Sequence, residues 1–314
     1  MAMTLPKESF AGRVYSLTIG QPPKKVIFGG ENVLPFHSFE GSSPRKPVIA
    51  FEIQDVVPDD WPEEIQKPYS EVMGDPALWA RFCCETLGAE ALALRLAGTH
   101  PDRGDRSPAD AAETVRSVLS AADVPWIILG SNHAEKDAAV LVAAAEAARG
   151  RNCLIGKAQE SNYKTIAAAA LAHDHKLVAM SELDINLSKQ LNILITQMGF
   201  DKEKIVIDPM CSALGYGLEY TYSVMERIRL AALAQNDPTM QQPMLGDVGM
   251  YVWKVKETQA QEEDVPQWGG LKERAVAWEA VTALALLVAG AELLIMRHPD
   301  AVRAVRNAIE ELTS

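Results

Sequence analysis

Lys176-Leu177-Val178-Ala179-Met180 is a short apolar run; Leu187, Leu191, Leu194 and Met198 follow it at helical spacing, Gly199 closes that stripe, and Lys204-Ile205-Val206-Ile207 is a second apolar run. The outer segments have the length and β-branched content of buried strands. The glycine supplies the left-handed stop at which many helices end. Strand, helix, strand is the unit of a parallel sheet, because parallel neighbours need a crossover long enough to hold a helix.

Outward from this stretch the unit repeats. The apolar runs in order are Val48–Ile53, Ala89–Leu96, Pro125–Leu129, Cys153–Gly156, Lys176–Met180, Lys204–Ile207, Pro243–Gly246 and Glu292–Met296. Every gap leaves room for a helix. Ser107-Pro108-Ala109-Asp110 offers an N-cap, a proline at N1 and an acid in the first turn. Ala134–Gly150 is alanine-rich and ends at a glycine. Leu218, Tyr222, Met225 and Arg229 share one helical face, and Val302, Val305, Ile309 and Leu312 another. This alternation predicts a (β/α)8 TIM barrel over residues 48–314. Residues 1–47 form an N-terminal extension. Within it Val14–Ile19 and Lys25–Phe28, joined by Gly20-Gln21-Pro22-Pro23, read as a β-hairpin placed to cover the bottom of the barrel. The run Val281–Gly290 is too short to span a membrane and reads as a buried helix face. Glu257–Asp264 reads as a solvated excursion.

Composition narrows the function. The 314 residues carry 30 Lys+Arg against 42 Asp+Glu, a net charge of −12, which argues against general nucleic-acid binding. With 48% hydrophobic and 23% charged residues, the chain is globular and not disordered. Cys83, Cys84, Cys153 and Cys211 include no C-x-x-C, so the chain offers no zinc or iron–sulfur ligand pattern and is expected to hold no metal itself. Reduced thiols and an amino terminus, Met1–Glu8, without an apolar signal core fit a cytoplasmic protein with no membrane segment.

In such a barrel the carboxyl ends of the strands carry the chemistry. The candidates there are Gln159, Asn162 and Tyr163 after the fourth run and Asp184 after the fifth. Asp208 and the loop Gly215-Tyr216-Gly217 follow the sixth, Asp247 the seventh, and Arg297 and His298 the eighth. Amides and acids in this number suit a large ligand with many hydrogen-bonding groups, although exposed loops are polar without any ligand. Hydrolase elbows, phosphate loops and H-E-x-x-H are absent. Lys157 is a Schiff-base candidate if buried with a lowered pKa, and a salt-bridge lysine otherwise. His173 and His175 fall at a helix end on the opposite face, where charge complementation is a simpler reading than metal binding.

Several of these residues sit in longer motifs. Leu34-Pro35-Phe36-His37-Ser38-Phe39-Glu40-Gly41, Glu160-Ser161-Asn162-Tyr163-Lys164, Leu183-Asp184-Ile185-Asn186 and Lys189-Gln190-Leu191-Asn192 come first. Val206-Ile207-Asp208-Pro209, Gly215-Tyr216-Gly217, Met225-Glu226-Arg227-Ile228-Arg229 and Met296-Arg297-His298-Pro299 follow. Together, from Val14 onward, they resemble the small subunit of the corrinoid iron–sulfur protein, related to the delta subunit of acetyl-CoA decarbonylase/synthase. The resemblance implies a TIM barrel in a heterodimer with a larger subunit. That partner carries a 4Fe–4S cluster and a mobile cobalamin domain that docks on the barrel top, where the candidate residues would meet the corrin. It also implies a methyl carrier, without a catalytic residue of its own, in the anaerobic reductive acetyl-CoA (Wood–Ljungdahl) pathway of carbon fixation. Cobalt would accept the methyl group from methyltetrahydrofolate through a methyltetrahydrofolate:corrinoid methyltransferase and pass it to acetyl-CoA synthase. The alternatives are a pterin-binding TIM-barrel methyltransferase acting on methyltetrahydrofolate or a dihydropteroate synthase, a lysine-dependent aldolase, and a scaffold subunit with no ligand contact.

Overall fold

β1 (Leu17–Gln21) and β2 (Lys24–Phe28) pair antiparallel with Gln21 opposite Lys24, so the hairpin turn is Pro22-Pro23. The computed structural model, which describes residues 6–314, then runs through eight strands: β3 (Val48–Gln54), β4 (Ala91–Arg95), β5 (Trp126–Leu129), β6 (Leu154–Ala158), β7 (Lys176–Met180), β8 (Ile205–Asp208), β9 (Met244–Asp247) and β10 (Ala291–Met296). They pair in parallel in the closed order β10-β3-β4-β5-β6-β7-β8-β9. The chain is a TIM barrel with a hairpin ahead of it.

Helices fill every connection: α1 (Glu63–Gln66) and α2 (Pro76–Glu85), α3 (Pro108–Ala121), α4 (Ala134–Ala147), α5 (Tyr163–Ala172), α6 (Ile185–Gln197), α7 (Leu218–Leu233), then α8 (Val248–Val252) and α9 (Leu271–Ala289), with α10 (Pro299–Leu312) after the last strand. Local chemistry sets their starts. Ser107 and Asp110 form a reciprocal capping box ahead of α3, and Asp184 caps α6. No helix among the described residues is long and apolar enough to cross a membrane. α9, expected to bury its apolar run, leaves Val281 and Val288 each 47% exposed, because it lies on the outside of the barrel and only one face reaches the strands.

Strand alternation divides the core in two. Outward-facing Ile49, Phe51 and Ile53 of β3 join the layer between strands and helices. Inward-facing Val48 and Ala50, Ala91 and Ala93, Val206, Leu245, Leu293 and Ile295 fill the barrel's lower interior together with Leu17, Ile19 and Phe28 of the hairpin. The hairpin is pinned there by Asn152, just ahead of β6: its carbonyl accepts the Gly20 N–H at 2.9 Å, and its side-chain amide donates to the Thr18 and Gly20 carbonyls at 3.2 and 2.9 Å. The bottom is therefore plugged with apolar side chains. Inside the barrel, the polar side chains gather toward the other end, while outside its lower end Arg229 is buried against Glu292 and Glu31.

Candidate functional site

Continuing the two-residue period up each strand brings the inward positions to Glu52 and Gln54 on β3, Arg95 on β4, Asp208 on β8, Asp247 on β9 and, just past β10, Arg297. Lys157 joins them by an irregularity. The β6–β7 ladder shifts register between Ile155 and Ala158, and Lys157, which strict alternation from Leu154 would turn outward, meets the acids inside the barrel.

These side chains form one network, none of its ionised groups more than 3% exposed. Arg95 donates to both oxygens of Glu52 at 3.1 and 3.0 Å and, through Nη2, to both of Asp247 at 2.9 Å. The Lys157 ammonium lies 2.7 Å from Asp247 and 2.8 Å from Asp208. Arg297 donates to Glu52 Oε1 at 2.8 Å and stacks over the Trp61 ring, 4.6 Å from its centroid. Glycine makes room for it: a Cβ on Gly249 would lie 2.6 Å from Arg297 Cγ. Three cations face three carboxylates, so the charges balance, which is the condition under which ionised groups persist in a barrel interior.

Titration behaviour follows from the pairing. Burial alone would discharge Lys157, but Asp208 and Asp247 outweigh it and hold the ammonium charged, its pKa raised. Burial opposes ionisation of Glu52, yet Arg297 and Arg95 keep its pKa below the usual carboxylate range. Asp247 is likewise held low by Arg95 and Lys157 against its burial. The Schiff-base reading of Lys157 required a lowered pKa; the structure supplies the opposite.

Behind the network α9 contributes Glu279, which accepts the Arg297 and His298 backbone N–H groups at 2.6 and 3.0 Å and whose pKa burial pushes up to about 7. His298 is 2% exposed. Its ring lies over Trp253 with centroids 5.8 Å apart, its Nδ1 accepts the Asp300 N–H at 3.1 Å and so caps α10, and burial pushes its pKa down to about 4.

The sequence-derived candidates thus separate into three sets. Asp208, Asp247 and Arg297 lie in the interior network, with His298 beside it. Asn162, Tyr163 and Asp184 build the loops. The Asn162 side chain accepts the Gln159 N–H at 2.8 Å and donates to the Ala134 carbonyl at 2.9 Å; Tyr163 is 8% exposed in the helix–strand core; and Asp184 accepts the Asn186 and Leu187 N–H groups at 2.7 and 3.2 Å. Gln159, Gly215 and Gly217 reach the rim, and the Asp184 cap is exposed there too. Gln159 lines an open cleft of about 320 Å³ with Glu160, Ser161, Met180 and Glu182. Gly215 and Gly217, at φ 79° and 93°, turn the chain into α7 and leave Tyr216 51% exposed between them.

Glu52 and Arg95 are absent from the sequence-derived set because that reading took residues just after each strand. Three of its positions, Lys157, Asp208 and Asp247, prove to lie in the strands themselves. Counting inward positions by twos from Val48 and Ala91 finds both missing groups. His175 also differs from expectation. It is fully buried, its Nδ1 accepts the Cys153 N–H at 3.1 Å and its Nε2 lies 2.9 Å from the Ala145 carbonyl. With its pKa lowered by burial, it is a neutral tie and not a charge at a helix end.

The thiols do not make a ligand set. Cys83 and Cys84 lie on α2, Cys153 ahead of β6 and Cys211 after β8. Burial pushes Cys84 up to about 11 and Cys153 up to about 12. Among the described residues no group of three or more His, Cys, Asp or Glu is arranged to hold a metal ion.

Against solved structures, the chain resembles the dihydropteroate synthase of Xanthomonas albilineans with 4-aminobenzoic acid, at a TM-score of 0.58, 14% identity and coverage of 95% of this chain and 97% of the other. That likeness is one of fold. In sequence, it is 37% identical over 310 residues to the acetyl-CoA decarbonylase/synthase complex subunit delta of Methanothermobacter thermautotrophicus, covering 98% of this chain and 78% of that protein. The corresponding subunit of Methanocaldococcus jannaschii is 33% identical over 318 residues, with 98% and 76% covered. Residues 16–308 match the family described as CO dehydrogenase/acetyl-CoA synthase delta subunit, and the chain belongs to that family.

Proposed function

We propose that the chain is a cytoplasmic, non-catalytic subunit of an acetyl-CoA decarbonylase/synthase-type assembly, and that its barrel top covers the cobalamin held by a larger iron–sulfur subunit. The observation that carries this reading is the closed interior network. The position where a barrel enzyme keeps its reactive groups is taken up by Arg95, Lys157 and Arg297 bound to Glu52, Asp208 and Asp247. The interior lysine, Lys157, is held charged and so is a poor nucleophile, and Asp247 and Glu52 are poor bases because their pKa values are held low. Such an interior gives a stiff floor to the loops above it.

The rim fits a ligand edged with amides. Gln159, Ser161 and the backbone around Gly215 and Gly217 offer neutral donors and acceptors, while Tyr216 offers an apolar face. Bound cobalamin supplies the cobalt that carries a methyl group between methyltetrahydrofolate, by way of a methyltransferase, and acetyl-CoA synthase. This chain's part is to orient the macrocycle and exclude water from one of its faces. The resemblance of the motifs around these loops to the corrinoid protein small subunit supports the same role.

A second reading, a pterin-binding methyltransferase, draws on the dihydropteroate synthase fold and on Asp208 and Asp247 inside the barrel. Lys157 and Arg95 already claim those carboxylates. Calorimetric titration of the isolated chain with methyltetrahydrofolate separates the two. The subunit reading expects no saturable heat, and stoichiometric binding would establish the pterin reading in its place.

A further inference from the structure

Above the network the loops after β3, β4, β5 and β9 leave a cleft of about 240 Å³, several times the share of one water molecule. Arg95 and Arg297 line it, each 2% exposed. Both hold acids, yet each keeps a buried guanidinium nitrogen, Nη1 of Arg95 and Nε of Arg297, with no acceptor on the protein. Lys254 lines the same cleft. Its ammonium lies 4.0 Å from the Met250 thioether and has no ion-pair partner among the described residues. His100 accepts the Asp102 N–H through Nδ1, which leaves Nε2 to carry the ring proton as a donor.

Arg95 and Arg297 are balanced by Glu52 and Asp247 beneath the cleft, so the unpaired charge lining it is that of Lys254. Asp60 is the one carboxylate lining the cleft among the described residues, and Arg103 takes it at 2.5 Å. Neighbouring groups register the field. Burial lowers the Lys254 pKa, and Arg297, Arg95 and Arg103 lower it further. Asp60 is held low by Arg103, with Arg297 and Lys254 adding to it, despite burial.

We propose that this cleft binds a small oxyanion, a carboxylate or phosphate group on a small molecule, with the unpartnered guanidinium nitrogens of Arg95 and Arg297 at its base and Lys254 and His100 at its side. Planar guanidinium forks match both groups, and donors in a site of low dielectric bind an anion far more strongly than they do in water. The site lies on the same barrel top as the proposed cobalamin cover but uses none of the rim residues assigned to it, and titration of the chain without its partner reads it alone.

The test is calorimetric titration of the full chain with inorganic phosphate and, separately, with acetate, at low ionic strength in a chloride background. Saturable binding of either probe is expected; the tighter of the two assigns the group as phosphate or carboxylate. Lys254→Met and His100→Gln should each weaken it by about tenfold, the worth of one charge-assisted hydrogen bond, with unchanged melting temperature. Lys24→Met, on the hairpin at the opposite end, should bind as the parent does. Absence of saturable binding by both probes, or equal affinity in the parent, Lys254→Met and His100→Gln, would overturn the assignment.

Discussion

Arg95 and Asp247 meet across the barrel: one guanidinium nitrogen from β4 lies 2.9 Å from both carboxylate oxygens on β9, although two strands, β3 and β10, separate β4 from β9 in the sheet order. The contact closes the interior at the level where a substrate would otherwise sit. Lys157, itself bound to Asp247, extends the closure to β6 and β8.

Breaking this closure should be costly. Lys157→Met leaves Asp208 and Asp247 facing each other in a buried site with only Arg95 to compensate. The expected loss is about 3–5 kcal/mol, read as a fall in the urea midpoint. In the unaltered chain, borohydride with a carbonyl compound should trap no adduct on Lys157, because its ammonium stays charged.

His298 should impose a pH dependence on stability. Its folded pKa of about 4 lies below the ordinary histidine value, so between about pH 4 and 6.5 the unfolded chain binds the extra proton. Its contribution is complete above about pH 6.5 and is lost as pH falls toward 4, by roughly 3 kcal/mol. Glu279, with a pKa of about 7, acts in the opposite sense: stability falls as pH rises from the ordinary glutamate range to about 7. The test is therefore differential. Melting curves of the chain and of His298→Asn, which keeps an N-cap, should diverge between pH 7 and pH 5, with the parent losing more. Parallel curves would contradict the burial of a neutral imidazole.

Loop-building residues and rim residues should separate in experiment. Asn162→Ala removes two internal hydrogen bonds and should cost about 1–3 kcal/mol of stability whatever it does to assembly. Gln159→Ala and Tyr216→Ala should leave the melting temperature within error and weaken docking of the proposed cobalamin-bearing partner by up to about tenfold. Docking is read as methyl transfer to and from the reconstituted pair. A bottom-face control belongs at His173, since His175→Ala strips the Cys153 N–H of its acceptor.

Gly249→Ala offers a test of packing beneath the cleft. Its Cβ would fall 2.6 Å from Arg297 Cγ, pushing the guanidinium off Glu52. A destabilisation of about 1–3 kcal/mol is expected, larger than for Gly74→Ala, where a Cβ meets nothing within 4 Å.

The architecture was legible because each barrel strand is a compact apolar run and the helices α3, α4, α6, α7 and α10 carry their own stripe, cap or glycine stop; the runs and the observed strands differ by at most two residues at either end. That small difference decided the site. Extending a run by one residue moved Asp208 and Asp247 from the rim to the interior, and the two-residue period then carried Glu52 and Arg95 in with them. Lys157 could not be placed by alternation, since its inward turn comes from a register shift between β6 and β7. The pairing of Asn162 with Ala134 and of His175 with Cys153 joins residues distant in sequence, which no local pattern encodes.

The most direct measurement is what accompanies the chain when it is isolated from cells that make it. An affinity-tagged copy, purified anaerobically, is expected to bring down a larger protein containing cobalt and iron, with a corrinoid absorption spectrum. Recovery of the chain alone, as a monomer that binds methyltetrahydrofolate and carries no cobalt-containing partner, would contradict the account.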